Sequence, residues 1–184
     1  MSETTGRVPE PVIQRAAGIR LAVFDVDGVL TDGRIGLGDD GFESKTFHSH
    51  DGLGLRLLQD SGVAVALITG RTSTVVRRRA EELRIRFVMQ GRPDKGDALA
   101  ELCSQQGLEA SASAYIGDDV VDLPAMRAAG LGIAVGSATP MTRAYADYVT
   151  LAAGGAGAAR EVAELLMAAQ GTLQAACARF VGAG

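Results

Sequence analysis

Residues 19–33, IRLAVFDVDGVLTDG, predict both the first element of the fold and the place of its chemistry. Residues 19–24 form a short apolar run with β-branched and aromatic residues, which is typical of a buried strand. Two carboxylates, Asp25 and Asp27, follow this strand directly. Asp and Gly also form plain turns. However, a buried charge without a partner costs several kcal/mol or more, so buried carboxylates normally bind a metal ion or a cation.

Composition limits the class of protein. The chain has 184 residues, 47% of them hydrophobic, and a net charge of −4, which indicates one domain with a sizeable core and argues against a nucleic-acid or anionic-membrane surface. Cys103 and Cys177 have neither pairing nor metal spacing, as expected for thiols in a reducing compartment. The polar N-terminus does not resemble a secretory signal, and no apolar run approaches the ~18 residues of a membrane span. We therefore expect a cytoplasmic protein.

Strand and helix patterns alternate along the chain, with no internal repeat. We expect a leader at 1–18, one domain at 19–170 and a tail at 171–184. Residues 34–46 contain two extended segments joined by Gly-Asp-Asp-Gly, which predicts a β-hairpin flap. Further strands are expected at 63–69, 86–90, about 111–117, 131–135 and 147–150, and helices at 11–18, 53–62, 73–83, 93–106, 121–129, 140–145 and 158–166. The alternation predicts an α/β fold with a mostly parallel sheet and helices on both faces.

Polar side chains follow the predicted strands at their carboxyl ends, where ligands of open parallel sheets bind. In chain order they are Asp25 and Asp27, Thr69, Lys95, and Asp118 with Asp119. Each has an ordinary alternative role when taken alone, such as a helix start for Thr69, a surface lysine for Lys95 and a helix cap for the acidic pair. Their joint placement is what predicts a site.

Clustered carboxylates without His or Cys ligands favour Mg²⁺, which takes a few carboxylates together with water and phosphate. Lys95 and Thr69 suit a phosphoryl group, through charge and a hydrogen bond respectively. Asp25 can act as the nucleophile toward phosphorus. Asp27 is placed to protonate the leaving oxygen and then to activate water.

The segments DVDGVLTDG, LITGR, PDKGDAL and YIGDDVVD together resemble the four motifs of the haloacid dehalogenase superfamily of phosphatases. More closely, residues 19–176 resemble the 3-deoxy-D-manno-octulosonate 8-phosphate phosphatase family, through FHSHDGLGLRLL, QGRPDKGDAL, YADYVTLAAGGAGAAREV and LLMAAQGTLQAA. The resemblance implies a Rossmann-like core, a phosphate site that includes Thr69 and Lys95, and an eight-carbon sugar acid of lipopolysaccharide biosynthesis as product. It also implies a Mg²⁺ site, formed by Asp25, the backbone carbonyl of Asp27 and Asp118, with Asp119 and Asp122 in support.

The same resemblance implies a set of residues near the bound sugar phosphate. They are Asp27, His48, Ser49, His50, Asp51, Gly52, Arg56, Arg71, Arg79 and Lys95. His48 and His50 depart from the family, which usually has Asn after Phe and Arg before Asp-Gly. Histidine is only partly charged at neutral pH and lacks the bidentate fork of arginine. Two interpretations are therefore open for both histidines: they bind the sugar acid, or they are exposed residues of the hairpin.

The short connections between the motifs leave no room for a large cap domain. Between Asp27 and Thr69 the small hairpin is the only segment besides one helix and one strand, and one helix and one strand lie between Thr69 and Lys95. A phosphoenzyme site still needs protection from water. We therefore expect neighbouring subunits to close the site through the hairpin. The related family forms homotetramers in this way, with the C-terminal tail reaching a neighbour.

Several other functions compete with this one. A signalling receiver domain shares the residue types, but its acidic pair precedes the acceptor Asp, whereas here the order is reversed. A non-catalytic scaffold would not need every catalytic position filled. The serious alternative is a phosphatase of another sugar acid phosphate, such as a nine-carbon sialic-type acid. A phosphatase of phosphoproteins or nucleic-acid ends is also conceivable, although the chain lacks a basic patch for nucleic acid.

Overall fold

The structure, a computed structural model, describes residues 8–39 and 41–182. Residues 1–7 of the predicted leader, residue 40 of the predicted hairpin and the last two residues of the predicted tail lie outside the described residues.

Six parallel strands form the main sheet, in the order β5-β4-β1-β6-β7-β8. Its strands are β1 (Leu21–Phe24), β4 (Ala64–Ile68), β5 (Phe87–Met89), β6 (Ser113–Gly117), β7 (Leu131–Ala134) and β8 (Tyr148–Val149). The predicted hairpin is present as a separate antiparallel pair, β2 (Gly36–Leu37) and β3 (Glu43–Ser44). The predicted α/β fold with a parallel sheet is confirmed.

Eight helices are assigned within the described residues. They are α1 (Glu10–Ala17), α2 (Ser49–Asp60), α3 (Thr74–Glu82), α4 (Lys95–Gln105), α5 (Leu123–Ala128), α6 (Pro140–Ala144), α7 (Ala158–Ala169) and α8 (Leu173–Val181). Helix α2 begins four residues earlier than predicted, and α8 lies within the predicted tail. Among the described residues, no helix is both long and apolar enough to cross a membrane.

The direction of each crossover explains the two helical layers. From β1 the chain moves outward through β4 to β5, and it then crosses back over the sheet to β6 and continues to β8. Because parallel crossovers are right-handed, connections that run in opposite directions place their helices on opposite faces. Helix α2 accordingly packs with α7, and α4 packs with α5.

Strand β1 is the centre of the core. All four of its side chains, Leu21 to Phe24, are fully enclosed, and burial of each large apolar side chain contributes about 1.5–3 kcal/mol. Phe24 is aligned with Leu67 of β4 on one side and with Ile116 of β6 on the other. This register brings the residues that follow the three strands to one edge of the sheet.

Helices α2 and α7 approach closely, and Asp51 joins them. At Gly54 of α2, an added Cβ would lie 3.0 Å from the Cα of Arg160, so the contact needs glycine. The buried Asp51 carboxylate accepts hydrogen bonds from the backbone N–H groups of Arg160, at 2.8 Å, and Gly157, at 3.3 Å. Asp51 therefore caps the N-terminus of α7 from another helix.

We expect Asp51→Ala to lower the free energy of unfolding by about 1–3 kcal/mol, since it leaves buried N–H groups of α7 without an acceptor. Urea unfolding followed by circular dichroism measures this loss. Asp60→Ala on the same helix is the matched control, because Asp60 forms an exposed ion pair with Arg179 that is worth at most about 1 kcal/mol. A stable Asp51→Ala protein with a raised KM would instead place Asp51 in substrate binding.

Candidate active site

The acidic residues that follow β1 and β6 meet at the point where the strand order reverses. Asp25 continues the β1 ladder, because its N–H donates to the carbonyl of Ile116, 3.0 Å away. Asp118 follows β6 directly. One carboxylate oxygen from each of Asp25, Asp118 and Asp122 lies within 4.8 Å of the others. The structure therefore brings together carboxylates that are more than 90 residues apart in the chain.

Lys95, the first residue of α4, places a buried ammonium group among these carboxylates. Its Nζ lies 2.8 Å from Asp25 Oδ2 and 2.6 Å from Asp122 Oδ1. Burial alone would lower the pKa of Lys95, but the two carboxylates outweigh burial and raise it. Lys95 is therefore a cation at neutral pH, as the proposed phosphate site requires.

Both oxygens of the Asp122 side chain are occupied by donors. Oδ1 accepts from Lys95 and from the hydroxyl of Tyr115, and Oδ2 accepts from the N–H groups of Asp118, at 3.0 Å, and Asp119, at 3.2 Å. Asp119 in turn caps the short 3₁₀ turn that follows. Asp122 thus orients both the loop that carries Asp118 and the ammonium of Lys95, and its supporting role at a metal site stays a prediction.

The negative charge of the clustered carboxylates exceeds the positive charge around them. Burial, followed by repulsion from Asp122, raises the pKa of Asp25 to about 6. Burial and repulsion from Asp122 and Asp25 likewise raise the pKa of Asp118 to about 7. The single positive charge of Lys95 does not balance the three carboxylates of Asp25, Asp118 and Asp122. A divalent cation would supply the missing charge, and the all-oxygen donor set fits Mg²⁺.

Gly28 allows the loop after β1 to pass directly over Asp118. Its φ is +90°, in the left-handed region, and an added Cβ would lie 2.1 Å from Asp118 Oδ2. Glycine is thus required both for conformation and for space. The backbone carbonyl of Asp27, the residue before Gly28, stays a predicted metal ligand.

Thr69 lies at the same edge of the sheet, one residue beyond β4. It is buried, its N–H donates to the carbonyl of Met89 and its own carbonyl accepts from the N–H of Arg92. These backbone bonds tie the ends of β4 and β5 together. Of the four predicted catalytic residues, Asp25 and Asp27 follow β1, Thr69 follows β4 and Lys95 begins α4, all at a single edge of the sheet.

The hairpin contributes two residues that the sequence analysis missed. The Nζ of Lys45 contacts the carboxylate of Asp27, and it lies 3.4 Å from Glu43 Oε1. Lys45 and Glu43 alternate along one extended segment, so their side chains lie on the same side of it. The sequence did contain a signal for this contact: two charged residues, Glu43 and Lys45, lie two positions apart on a hairpin that follows the first acidic loop.

Arg56 lies away from this edge of the sheet, so the structure does not bring it to the other site residues, and its role as a substrate contact stays a prediction. It lines a cavity of about 480 Å³ with the first residues of β4 and β5, including Ala64 and Phe87. Helix α2 runs antiparallel to these strands, and Arg56 lies two turns from its start. The side chain is thus carried toward the opposite edge of the sheet.

The segment 48–52 forms the start of α2 and not part of the hairpin, which corrects the alternative interpretation of its histidines. His48 is the residue before the helix, and its ring lies 4.9 Å from that of His50. Ser49 is exposed in the first turn. The capping role of Asp51 turns its carboxylate to α7. A substrate contact of either histidine stays a prediction.

Two predicted arginines lie on helix α3 and the turn before it. Arg79 pairs with Glu82 at 2.8 Å, stacks over the ring of Phe47 at 5.5 Å and fills the space above Gly52. Arg71 is half exposed, and its guanidinium lies 3.8 Å from Glu43 of the hairpin. Both therefore lie on the hairpin side of the site, where a substrate contact remains a prediction.

Comparison with known proteins gives consistent matches. Residues 85–162 match a family described as haloacid dehalogenase-like hydrolase. The chain is 46% identical to 3-deoxy-D-manno-octulosonate 8-phosphate phosphatase of Yersinia pestis over 171 residues, which cover 93% of this chain and 91% of that protein.

Solved structures agree. The phosphatase of the same name from Moraxella catarrhalis, in complex with magnesium ion, phosphate ion and a KDO molecule, has a TM-score of 0.90 and 48% identity, over 92% of this chain and 97% of that one. The cobalt-bound enzyme from Haemophilus influenzae has a TM-score of 0.85 and 40% identity, over 88% and 94% of the two chains.

We expect Mg²⁺ affinity to fall as the pH is lowered from 8 to 6. Since the pKa of Asp118 is raised to about 7, a proton must leave this carboxyl below pH 7 before it binds metal, and the affinity should drop roughly tenfold per pH unit there. Calorimetric titration of the metal-free protein measures this. Asp118→Asn should bind Mg²⁺ weakly and lose most of the slope. An affinity independent of pH over this range would contradict the assignment.

Proposed function

The chain belongs to the 3-deoxy-D-manno-octulosonate 8-phosphate phosphatase family of the haloacid dehalogenase-like hydrolases, and we propose that it is a Mg²⁺-dependent phosphatase of 3-deoxy-D-manno-octulosonate 8-phosphate. The products are the free sugar acid and phosphate, as in lipopolysaccharide biosynthesis. The observation that carries the proposal is the convergence of Asp25, Lys95 and Asp118 at one edge of the sheet.

In the first step, an oxygen of Asp25 attacks phosphorus as the ester P–O bond breaks. Lys95 and Thr69 are placed to hold the phosphoryl oxygens, by charge and by hydrogen bonding. A bound Mg²⁺, held by Asp25, the Asp27 carbonyl and Asp118, would neutralise phosphoryl charge and so permit one anion to attack another. The step leaves an aspartyl-phosphate on Asp25.

Asp27 acts as the general acid in the first step and as the general base in the second. It donates a proton to the departing sugar oxygen, which then leaves as the neutral alcohol. In the second step it accepts a proton from the water that attacks phosphorus, which releases phosphate and restores the Asp25 carboxylate. The net reaction consumes one water for each phosphate ester.

Another sugar acid phosphate, such as that of a nine-carbon sialic-type acid, is a second candidate. It is retained because His50 stands where the family usually has arginine, so that the contact with the substrate carboxylate differs from that of the family. A neutral histidine would bind the substrate carboxylate more weakly than arginine does. The reaction is the same for both substrates.

We also propose a cytoplasmic homotetramer. Cys103 and Cys177 are free thiols, which suits a reducing compartment. The hairpin exposes large apolar side chains, with Ile35 45%, Leu37 72% and Phe42 64% accessible. Exposed apolar side chains in one patch typically mark an interface, and helix α8 likewise exposes Phe180 and Val181. Contact between hairpins, with the C-terminal segment reaching a neighbour, would close the site without a cap domain.

We expect Mg²⁺-dependent phosphate release to be fastest with 3-deoxy-D-manno-octulosonate 8-phosphate in a panel of sugar acid phosphates. Asp25→Asn should lose at least about 10³-fold in kcat because it removes the nucleophile. The panel should include a nine-carbon acid phosphate and a neutral sugar phosphate. Full activity of Asp25→Asn would refute the mechanism. Equal rates across the panel would refute the substrate but not the reaction.

We expect the protein to sediment as a tetramer at micromolar concentration and Leu37→Glu to shift it to smaller species, since the substitution places a charge in an apolar contact. Analytical ultracentrifugation measures both. Met141→Glu is the matched control, because Met141 is 55% exposed but lies on α6, outside the hairpin. A wild-type monomer would rule out this assembly.

A further inference from the structure

Lys45 has no solvent exposure at its side chain although it lies on a small surface hairpin. A buried ammonium without counter-charges would be strongly unfavourable. Its partners are the carboxylates of Asp27 and Glu43. The sequence places Lys45 directly after β3, so the hairpin carries this charge from outside the sheet to the acidic loop after β1.

Glu43 anchors the hairpin to the body of the protein. Its Oε2 accepts a hydrogen bond from the hydroxyl of Ser73, which caps the N-terminus of α3. This hydrogen bond, followed by the charge of Lys45, lowers the pKa of Glu43 and keeps it ionised. The N–H of Ser73 is itself held by the side chain of Gln90, at 2.7 Å. The position of Lys45 is thus fixed by bonds to a rigid helix start.

The two oxygens of Asp27 differ. Oδ1 is held by Lys45, whereas Oδ2 is buried and has no hydrogen-bond partner among the described residues. A buried polar atom without a partner needs an explanation. In the proposed mechanism, the oxygen that leaves and the water that attacks would each supply a partner for Oδ2.

We propose that Lys45 is a positioning residue that holds one oxygen of Asp27 and so aims the other at the leaving group. The proposal rests on the proposed function, since it needs Asp27 as the proton donor. Lys45 does not take the place of Lys95, because Lys95 contacts Asp25 and Lys45 contacts Asp27. Lys95 therefore acts at the phosphoryl group, whereas Lys45 acts on the leaving group only through Asp27.

Leaving groups of different basicity test this role. The sugar alkoxide must be protonated as it departs, whereas p-nitrophenolate leaves without a proton at neutral pH. The value of kcat/KM covers the steps up to release of the leaving group, so it reports on proton donation and not on later hydrolysis of the aspartyl-phosphate.

We expect Lys45→Met to lower kcat/KM for the sugar acid phosphate about 10–100-fold, a part of the 10²–10⁴-fold that acid–base catalysis supplies. The same variant should change kcat/KM for p-nitrophenyl phosphate by less than about threefold. Asp27→Asn should show the same selectivity with a larger loss. Ser44→Ala, next to Lys45 on the hairpin, should leave both values unchanged.

An equal loss with both substrates would overturn the proposal, because it would mean that Lys45 binds the phosphoryl group or supports the fold. Thermal unfolding and Mg²⁺ titration of Lys45→Met identify a folding defect. If this variant does not fold, Glu43→Gln replaces it, and the same selectivity at smaller size is expected. Equal losses in Glu43→Gln would likewise overturn the proposal.

Failure of the proposed function would look different. It would show as a wild-type protein without Mg²⁺-dependent hydrolysis of either phosphate ester. An active wild type with a Lys45→Met variant that is fully active on both substrates would refute the role of Lys45 alone.

Discussion

The buried ammonium of Lys95 is the interaction on which the site depends. Asp25 and Asp122 are both enclosed, and together they would be too unfavourable to bury without a cation. Lys95 begins α4, the helix that leads from β5 back across β4 and β1 to β6. The one connection that crosses the sheet thus starts with the charge needed where the strand order reverses. Fold topology and charge balance therefore select the same place for the chemistry.

Two aspartates only two residues apart acquire different tasks from their surroundings. Asp25 extends the central strand and meets Lys95 inside the core, which suits a fixed nucleophile. Asp27 lies beyond the strand end and meets a lysine from the hairpin. Its partner can be present only when the flap is in place. In the proposed mechanism, the core therefore determines where phosphorus is attacked, and the flap determines how the leaving oxygen is protonated.

The sequence was sufficient for the strand-end residues because a parallel sheet puts all carboxyl ends at one edge. The local sequence pattern could not predict the position of residues whose roles depend on contacts with residues far away in the chain. Asp51 caps a helix more than 100 residues away, and Arg56 is carried to the opposite edge by the length of α2. Lys45 lies 18 residues from Asp27, in a segment whose pattern shows a hairpin but not which surface it covers.

The hairpin has only two residues in each strand, too few to be stable alone. Its inner side is held by Lys45 and by the bond from Ser73 to Glu43, while its outer side exposes Leu37 and Phe42. Any subunit contact that covers the outer side would also restrain the inner side, because both belong to the same short ladder. Assembly would then stabilise the aim of Asp27 as well as exclude water. In the proposed assembly, contacts between subunits would thus do what a cap domain does in a larger chain: they would position Asp27 and exclude water from the site.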